Sequence, residues 1–482
     1  MASSGNSCNK SFCSDYFLVK PEEAGWVDIL RLLFWSDVGR RKFVESPAAA
    51  QPRREPLSRR WLVFVSVVAM KLLHAIAGPL SGFGSAVEFW LNLLSLNGGF
   101  FTLILNFFRG KVVQPDRASA SFVSFIGNMD KRLDLEKSRL FGHGEGDKAY
   151  FAYLSIMAAK LSYENHNFIR TTVNDVWNMK LIGSYDFWND YQQKSTTQAF
   201  IFHDNLGTVV VAFRGTETFN SDDWSTDVDI SWYEVPGLGR IHAGFMKALG
   251  LQRNHGWPRR QAAAKPETAY YAVRDLLKDL LQKNDKARLV VTGHSLGGAL
   301  AALFPAVLAL HEEAAVLERL EGVYTYGQPR VGDGAFGEFM EGVMTTYGFR
   351  HYRFVYSFDL VPRLPYDDSL MMFKHFGTCV YYNSFYQGKV VAEEPNKNYF
   401  SIFWLIPKFL NACWELIRSF TFPLYTGNFE YTESGLIRIL RAAGLLVAGL
   451  PAHCPPDYVN SISLGSSDVF NSMVSQEAMK SQ

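Results

Sequence analysis

Cysteine is scarce in this chain: there are five in 482 residues, at Cys8, Cys13, Cys379, Cys413 and Cys454. Their scattered placement offers neither a metal-ligand spacing nor a disulfide framework, and it fits a reducing compartment. A surplus of one charge is missing too. The formal net charge is +1, without the excess of Lys and Arg that a nucleic-acid partner normally requires. The opening residues do not read as a secretory signal. Lys20, Glu22, Glu23, Asp28 and Asp37 interrupt them, and the first long apolar run begins only at Trp61. These absences predict a protein made and kept on the cytosolic side. No internal repeat is visible.

What is present is apolar mass. Apolar residues make up 48% of the chain and aromatics 15%, enough for one α/β domain of about 300 residues with apolar surface to spare. Two apolar runs stand near the start. Trp61 to Leu80 carries one charge, Lys71, and Val87 to Phe108 carries only Glu88. Each approaches the roughly 20 residues that cross a bilayer. Pro79, Gly82 and Gly84 between them predict a tight turn. Arg59 and Arg60 before the pair, with Arg109 and Lys111 after it, assign both outer ends to the cytosol. The pattern predicts a helical hairpin that dips into a lipid phase. The plainer alternative is two helices packed on the rest of the protein, for which Lys71, His74 and Glu88 argue, being costly in hydrocarbon.

The chain divides into a polar segment (1–60), an apolar anchoring region (61–110), a linker (111–149), a globular α/β domain (150–465) and a polar tail (466–482). Within the domain, Gln198–His203 and Thr208–Phe213 read as strands joined by a turn at Asp204–Gly207. Phe151–Leu161 and Ala269–Lys283 have helical spacing. Ala287–Thr292 reads as a buried strand followed by an apolar helix through Leu310, and Val323–Gly327 and Tyr352–Tyr356 as further strands around a helix at Phe336–Met344. Strands alternating with helices imply a mostly parallel sheet, with its site at the strand C-terminal ends.

One motif stands out, Val291-Thr-Gly-His-Ser-Leu-Gly-Gly298. It contains Gly-x-Ser-x-Gly as Gly293, Ser295 and Gly297, between a β-branched strand and an Ala/Leu helix. That is the context of a nucleophile elbow. A serine on so sharp a turn crowds its neighbours, and glycine two residues away on either side removes the clashing Cβ atoms. Ser295 is therefore the candidate nucleophile, and the backbone N–H of Leu296 a candidate oxyanion donor. His294 beside it points away from the hydroxyl and reads as a packing residue.

A serine nucleophile needs an imidazole to take its proton and a carboxylate to orient that imidazole, in the order Ser, acid, His. Asp359 follows the strand ending at Tyr356 and sits on the same rim as Ser295. Asp367 and Asp368 read as solvated turn charges, and Asp333 as a turn or helix-cap residue. His351 precedes the acid. His375 lies on an apolar alternation suited to a structural histidine, and His453 lies in a Pro-rich loop where an imidazole projects freely. His453 is the preferred base.

Val211-Ala-Phe-Arg-Gly-Thr216, Thr292–Gly298, Thr325-Tyr-Gly-Gln-Pro-Arg-Val-Gly-Asp333 and Asp359-Leu-Val-Pro362, in this order and with a late histidine, resemble the class 3 lipases. The long apolar N-terminal region and the ending Ala452-His-Cys-Pro-Pro-Asp-Tyr-Val459 are similar to the plant oil-body triacylglycerol lipases within that family. The resemblance implies an α/β-hydrolase fold, the triad Ser295, Asp359 and His453, and a second oxyanion donor at Thr216. It also implies a lid at 217–232, where Trp224, Val228 and Trp232 fall on one helical face. Arg214 reads as structural. Asp359 and His453 are 94 positions apart, more than in the fungal members. The intervening runs Tyr399–Leu410 and Leu436–Val447 either line an acyl pocket, rest against lipid, or form core helices.

The expected function is hydrolysis of tri-, di- and monoacylglycerols at a lipid droplet or the endoplasmic-reticulum membrane, with the catalytic domain facing the cytosol. No cofactor, metal or nucleic acid is expected. A phospholipase or galactolipase with the same triad, and a non-catalytic lipase-like scaffold, are the alternatives.

Overall fold

The computed structural model describes residues 13–39, 41–46, 55–135, 148–189, 192, 194–251, 267–365, 367, 372–399, 402–426, 431–466 and 468–473. Cys8, Asp368, and parts of the expected linker and tail lie outside these residues. Cys13 is disulfide-bonded, which differs from the expectation that the cysteines offer no disulfide framework. Cys379, Cys413 and Cys454 are free.

The first apolar run forms one helix and not half of a hairpin. Helix α1 spans Leu57–Leu96, 40 residues, and continues through Pro79, Gly82 and Gly84. The expected turn is thereby corrected. A proline inside a helix forfeits one N–H bond and crowds the carbonyl four residues earlier, at about 3 kcal/mol, and a helix this long absorbs the loss. The chain breaks instead after Leu96, where Gly98 and Gly99 take φ of +74° and +95°, left-handed backbone that ends helices. A short helix, α2 (Phe100–Phe108), follows.

Among the described residues, α1 alone is long and apolar enough to cross a membrane. One of its faces nevertheless packs on protein. Val63, Val67 and Met70 are buried with Ile29, Leu32 and Phe43. Lys71 donates to the Pro21 carbonyl at 3.0 Å. Glu88 accepts from the Phe125 N–H at 3.0 Å, at the start of helix α3 (Phe125–Met129). Lys71 and Glu88 thus have protein partners. Leu72, Ile76, Phe83 and Trp90, on the opposite face, are exposed.

The almost wholly buried helix α4 (Lys148–Leu161) leads into the main sheet. Strands β1 (Lys180–Asn189), β2 (Lys194–His203), β3 (Thr208–Phe213), β4 (Arg288–His294), β5 (Leu320–Tyr326), β6 (Arg350–Tyr356), β7 (Thr378–Tyr382) and β8 (Gly388–Val391) lie side by side in that order. β3 to β7 are parallel; the outer pairs are antiparallel. Between β3 and β4 come α5 (Ser221–Val228) and α6 (Ala269–Lys283); α7 (Leu296–Leu310) follows β4, and α8 (Gly334–Tyr347) follows β5.

Strand alternation divides the core in two. Val209, Val211 and Val291 face the side of α6, α7 and α8, while Val210, Ala212 and Val290 face α4. Asp333 caps α8, accepting from the Phe336 N–H at 3.0 Å. A smaller sheet of short strands, including Asp15–Val19, Trp232–Val235 and Gly239–His242, lies apart from the main one.

The insert between Asp359 and His453 contains α9 (Leu405–Thr426) and α10 (Gly435–Ala443), and α11 (Pro455–Leu464) follows the histidine. A buried ion cluster joins all three. Arg441 of α10 donates to Asp457 at 3.0 Å, to Glu433 at 2.6 and 2.7 Å and to Glu415 at 3.3 Å. Arg418 of α9 donates to Asp457 at 2.9 Å. Burial pushes the Asp457 carboxyl up, but Arg441 and Arg418 outweigh it and hold the group below its ordinary range.

Removing one partner of such a cluster leaves an uncompensated buried charge, at about 3–5 kcal/mol. Arg441→Met should lower unfolding stability by roughly that amount, read by urea denaturation. A loss within experimental error would mean that the cluster relaxes without cost.

Candidate active site

Strand β4 ends at His294 and α7 begins at Leu296, leaving Ser295 between them at φ +59°. A non-glycine residue there is strained backbone, held by the strand on one side and the helix on the other. The flanking glycines are obligatory. A Cβ on Gly293 would lie 2.2 Å from the Gly297 backbone, and one on Gly297 would lie 2.3 Å from the Phe213 carbonyl. The turn therefore packs backbone on backbone, with Ser295 at its apex.

The Ser295 hydroxyl lies 2.8 Å from His453 Nε2. On the other side of the ring, Nδ1 lies 2.9 and 3.0 Å from the Asp359 carboxylate oxygens. Asp359 sits three residues past the end of β6 and is fully buried. It also accepts from the Val361 N–H at 2.9 Å and from the Tyr458 hydroxyl. Three donors compensate the carboxylate for its lost water. With Asp359 on Nδ1–H, Nε2 is left as the acceptor for the Ser295 proton.

The other histidines are engaged elsewhere. His375 Nε2 donates to the Pro362 carbonyl at 2.7 Å, and burial, with Arg353 and Arg330, depresses it well below its ordinary range. His351 bonds Gln328 at 3.0 Å and is pushed down to about 3, first by burial. His294 does more than fill space. Its Nε2–H donates to the His453 carbonyl at 2.7 Å, and its Nδ1 accepts from the Tyr163 hydroxyl at 2.8 Å. Burial and then His453 hold it well below its ordinary range, hence neutral. This second-histidine brace is not visible in the motif. Nor is the role of Gly327, at φ +59°, where a Cβ would approach the His453 ring to 2.9 Å.

Leu296 is the first residue of α7, so its N–H has no acceptor within the helix. Thr216 lies just past β3, and its hydroxyl donates to Asp227 of α5 at 2.7 Å. The second Asp227 oxygen is shielded from solvent without a partner, and burial pushes this carboxyl up to about 6. Asp223, one turn earlier, accepts from the Glu217 N–H at 3.1 Å and is pushed by burial to about 7. Both aspartates fall within the expected lid segment, 217–232, and nothing in their spacing announces these partners. Arg214 donates to Gln198 at 2.6 Å and stays off the triad.

The lid segment differs from expectation. Helix α5 ends at Val228, and Trp232 begins a strand. The cause is local: Asp229 accepts from the Ser231 N–H at 2.9 Å, a turn that stops the helix. Trp224, Val228 and Trp232 therefore do not share one helical face. Trp232 is buried, Val228 packs in the cluster that holds Val63 and Val67 of α1, and the Trp224 indole donates to the Thr218 carbonyl at 3.0 Å. Ser66 of α1 donates to the Val228 carbonyl at 2.8 Å. A cleft of about 570 Å³ opens between α1 and Thr218–Ser221, while Ser295 itself is buried.

The family description Lipase (class 3) matches residues 210–369. "Triacylglycerol lipase OBL1" of Nicotiana tabacum is 40% identical, over 94% of this chain and 95% of its own. The protein of the same name from Arabidopsis thaliana is 40% identical, over 96% of this chain and 97% of its own. Among solved structures, the native propeptide complex of Rhizomucor miehei lipase is similar over 50% of this chain and 70% of its own, at 24% identity and a TM-score of 0.37. With relatives that match almost its whole length, the chain belongs to the class 3 lipase family and is a serine hydrolase of carboxylic esters.

Proposed function

We propose that the protein is a triacylglycerol lipase that works at a lipid-droplet surface and also accepts di- and monoacylglycerols. The observation that carries this reading is the 2.8 Å contact of His453 Nε2 with Ser295, backed by Asp359 on the other ring nitrogen. The names of the two plant relatives support the substrate class.

Ser295 Oγ attacks the ester carbonyl carbon while its proton passes to His453 Nε2. The oxyanion that forms is held by the Leu296 N–H and by Thr216. His453 then returns the proton to the glyceryl oxygen, the C–O bond breaks, and the acyl group remains on Ser295. Water attacks in turn, giving its proton to His453, and the fatty acid leaves as Ser295 recovers its hydrogen. Asp359 keeps the imidazole in one tautomer and stabilises its cationic form throughout.

Residues 217–232 serve as the lid, with α5 as its helical part. The closed arrangement buries Ser295 and couples the Thr216 hydroxyl to Asp227. The outer face of α1, carrying Leu72, Ile76 and Trp90, attaches the protein to the droplet, with the catalytic domain on the cytosolic side. The unit 61–110 then acts as an anchor through one long helix and α2.

Ser295→Ala should reduce ester hydrolysis by roughly 10⁴-fold or more with an unchanged melting temperature. His453→Ala should match it on both emulsified lipid and a short soluble ester, whereas His375→Ala should lose stability, with activity tracking the folded fraction. A folded and active His453→Ala protein would overturn the assignment of the base.

The lid also predicts a pH dependence. Asp227 has a raised pKa in the closed state, about 6 against an ordinary 3.8. Closed-lid stability from this group is therefore fully present below the ordinary value and is lost as pH rises to about 6. Triolein turnover should rise across that window, and Asp227→Asn should flatten the rise relative to the unaltered protein. Superimposable profiles would show that Asp227 does not report lid opening.

Leu72→Ser, Ile76→Ser and Trp90→Ser together should release the protein from isolated droplets while keeping soluble-ester turnover. Retention on droplets would place the attachment elsewhere.

A further inference from the structure

Helix α9 is built inside out. At 100° per residue, Ile406, Phe409, Leu410, Ile417, Phe420 and Leu424 fall within an arc of about 100°, and all six are exposed. The charged residues of α9 are Lys408, Glu415 and Arg418, which fall on the opposite side and are buried at 5%, 4% and 2% exposure. Arg418 and Glu415 belong to the ion cluster with Arg441 and Asp457, and Lys408 donates to the Tyr399 carbonyl. Asn411 bonds Ser357 at 3.0 Å from the same inner side.

A helix on a water-soluble surface puts its apolar stripe inward and its charges outward. Here the arrangement is reversed at both faces at once, and the reversal is tied down by specific hydrogen bonds. An apolar arc of this extent is not the chance exposure of single residues. From Ile406 to Leu424 it runs for roughly 27 Å at 1.5 Å per residue. Ile439 of α10, which packs on α9, and Leu446 are likewise 68% and 90% exposed.

We infer that α9 is a docking helix that lies flat on the phospholipid-coated surface of a neutral-lipid droplet, apolar arc down. The inference deepens the lipase reading and rests on it for the identity of the surface. The outward arc of α9 carries no charge of its own, and the cation against its edge, Arg438 of α10, lies over the Phe420 ring and donates to the Ser419 carbonyl at 3.3 Å; an acyl-chain layer needs no partner charge. α9 is not among the helices long and apolar enough to cross a membrane, so it rests in the interface and does not span it. Its inner side is bolted through Arg418 to Asp457, four residues beyond His453. Docking on α9 therefore fixes the catalytic histidine loop at a set height above the lipid. It is a second contact beside α1, and two linked contacts hold far better than either one.

The test uses the full chain with Phe409→Ser, Leu410→Ser and Leu424→Ser combined, and triolein droplets stabilised by phosphatidylcholine. The replaced side chains are exposed, so the melting temperature should hold. Flotation with droplets should fall at least tenfold, and turnover of a short soluble ester should stay the same. Undiminished flotation would overturn the inference. A parallel fall in soluble-ester turnover would also overturn it, by assigning the arc to an acyl pocket. So would sedimentation of the lipid-free protein as a dimer that the triple variant dissolves, because the arc would then belong to a second copy. A measurement without these substitutions guards against misfolding: Trp404, 36% exposed, ends the turn Ile402–Trp404 directly before α9, and brominated phosphatidylcholine should quench a fluorescence component that Trp404→Phe removes; equal quenching in both proteins would count against docking here. Flotation is read without turnover. A protein that floats but leaves triolein intact would overturn the lipase reading and still support the docking helix.

Discussion

The Ser295–His453 hydrogen bond joins residues 158 positions apart, and much of the surrounding structure exists to keep that contact at 2.8 Å. Ser295 is held by backbone packing at a strained turn. His453 has no strand or long helix of its own and sits in a single turn, Pro451–His453. Its ring is therefore positioned by neighbours. Asp359 fixes Nδ1, His294 fixes the His453 carbonyl, and Tyr458 of α11 returns to Asp359. The brace is circular: the residue next to Ser295 holds the backbone of the residue whose ring bonds the Ser295 hydroxyl. A displacement of either partner strains the other, which couples elbow and loop geometrically as well as chemically.

The ion cluster extends this control outward. Asp457 opens the helix that follows His453, and it receives Arg418 and Arg441 from the insert. Buried pairs of this kind bring little net stability, because desolvation offsets most of the attraction. What they specify is orientation. An apolar interface between α9 and the domain would slide or turn over at small cost. A bifurcated guanidinium contact does not, and it leaves the apolar side of α9 with one direction to face.

The turn that carries Ser295 was legible in the sequence because its constraints are local. Gly293, Ser295 and Gly297 lie within five residues of one another, and the strand and helix around them are strongly patterned. Ala269–Lys283 was likewise read correctly as a helix, its apolar spacing being regular. Illegible features depend on distant partners. Pro79 reads as a breaker, yet α1 carries it because contacts at Val63, Val67 and Asn92 hold the helix on either side. Trp232 fits a helical stripe by spacing, but the Asp229 turn and pairing with Asp15–Val19 convert it to strand. Strand β1 is half-exposed along much of its length and sets Leu181 and Ile182 side by side, as it does Phe187 and Trp188, so alternation there is too weak to announce a strand. The cluster around Arg441 draws on α9, α10 and α11, and no spacing within one segment reveals it.

Helix α1 meets protein and solvent on opposite sides, and its protein side meets the lid. Val228 at the end of α5 packs with Val63 and Val67, Ser66 holds the Val228 carbonyl, and Phe219, just before α5, stacks edge-on against Phe125 of α3. On the proposed reading, opening the lid must break these contacts and expose the apolar groups that made them. Water offers nothing in exchange, since burying one such side chain is worth about 1.5–3 kcal/mol. A lipid surface does, because it covers the same groups as they emerge. The closed state is therefore stable in water for the same reason that it becomes dispensable at an interface. On the same proposed reading, α1 presents its other apolar side to the lipid, so that the seat of the lid lies at the surface where that exchange takes place.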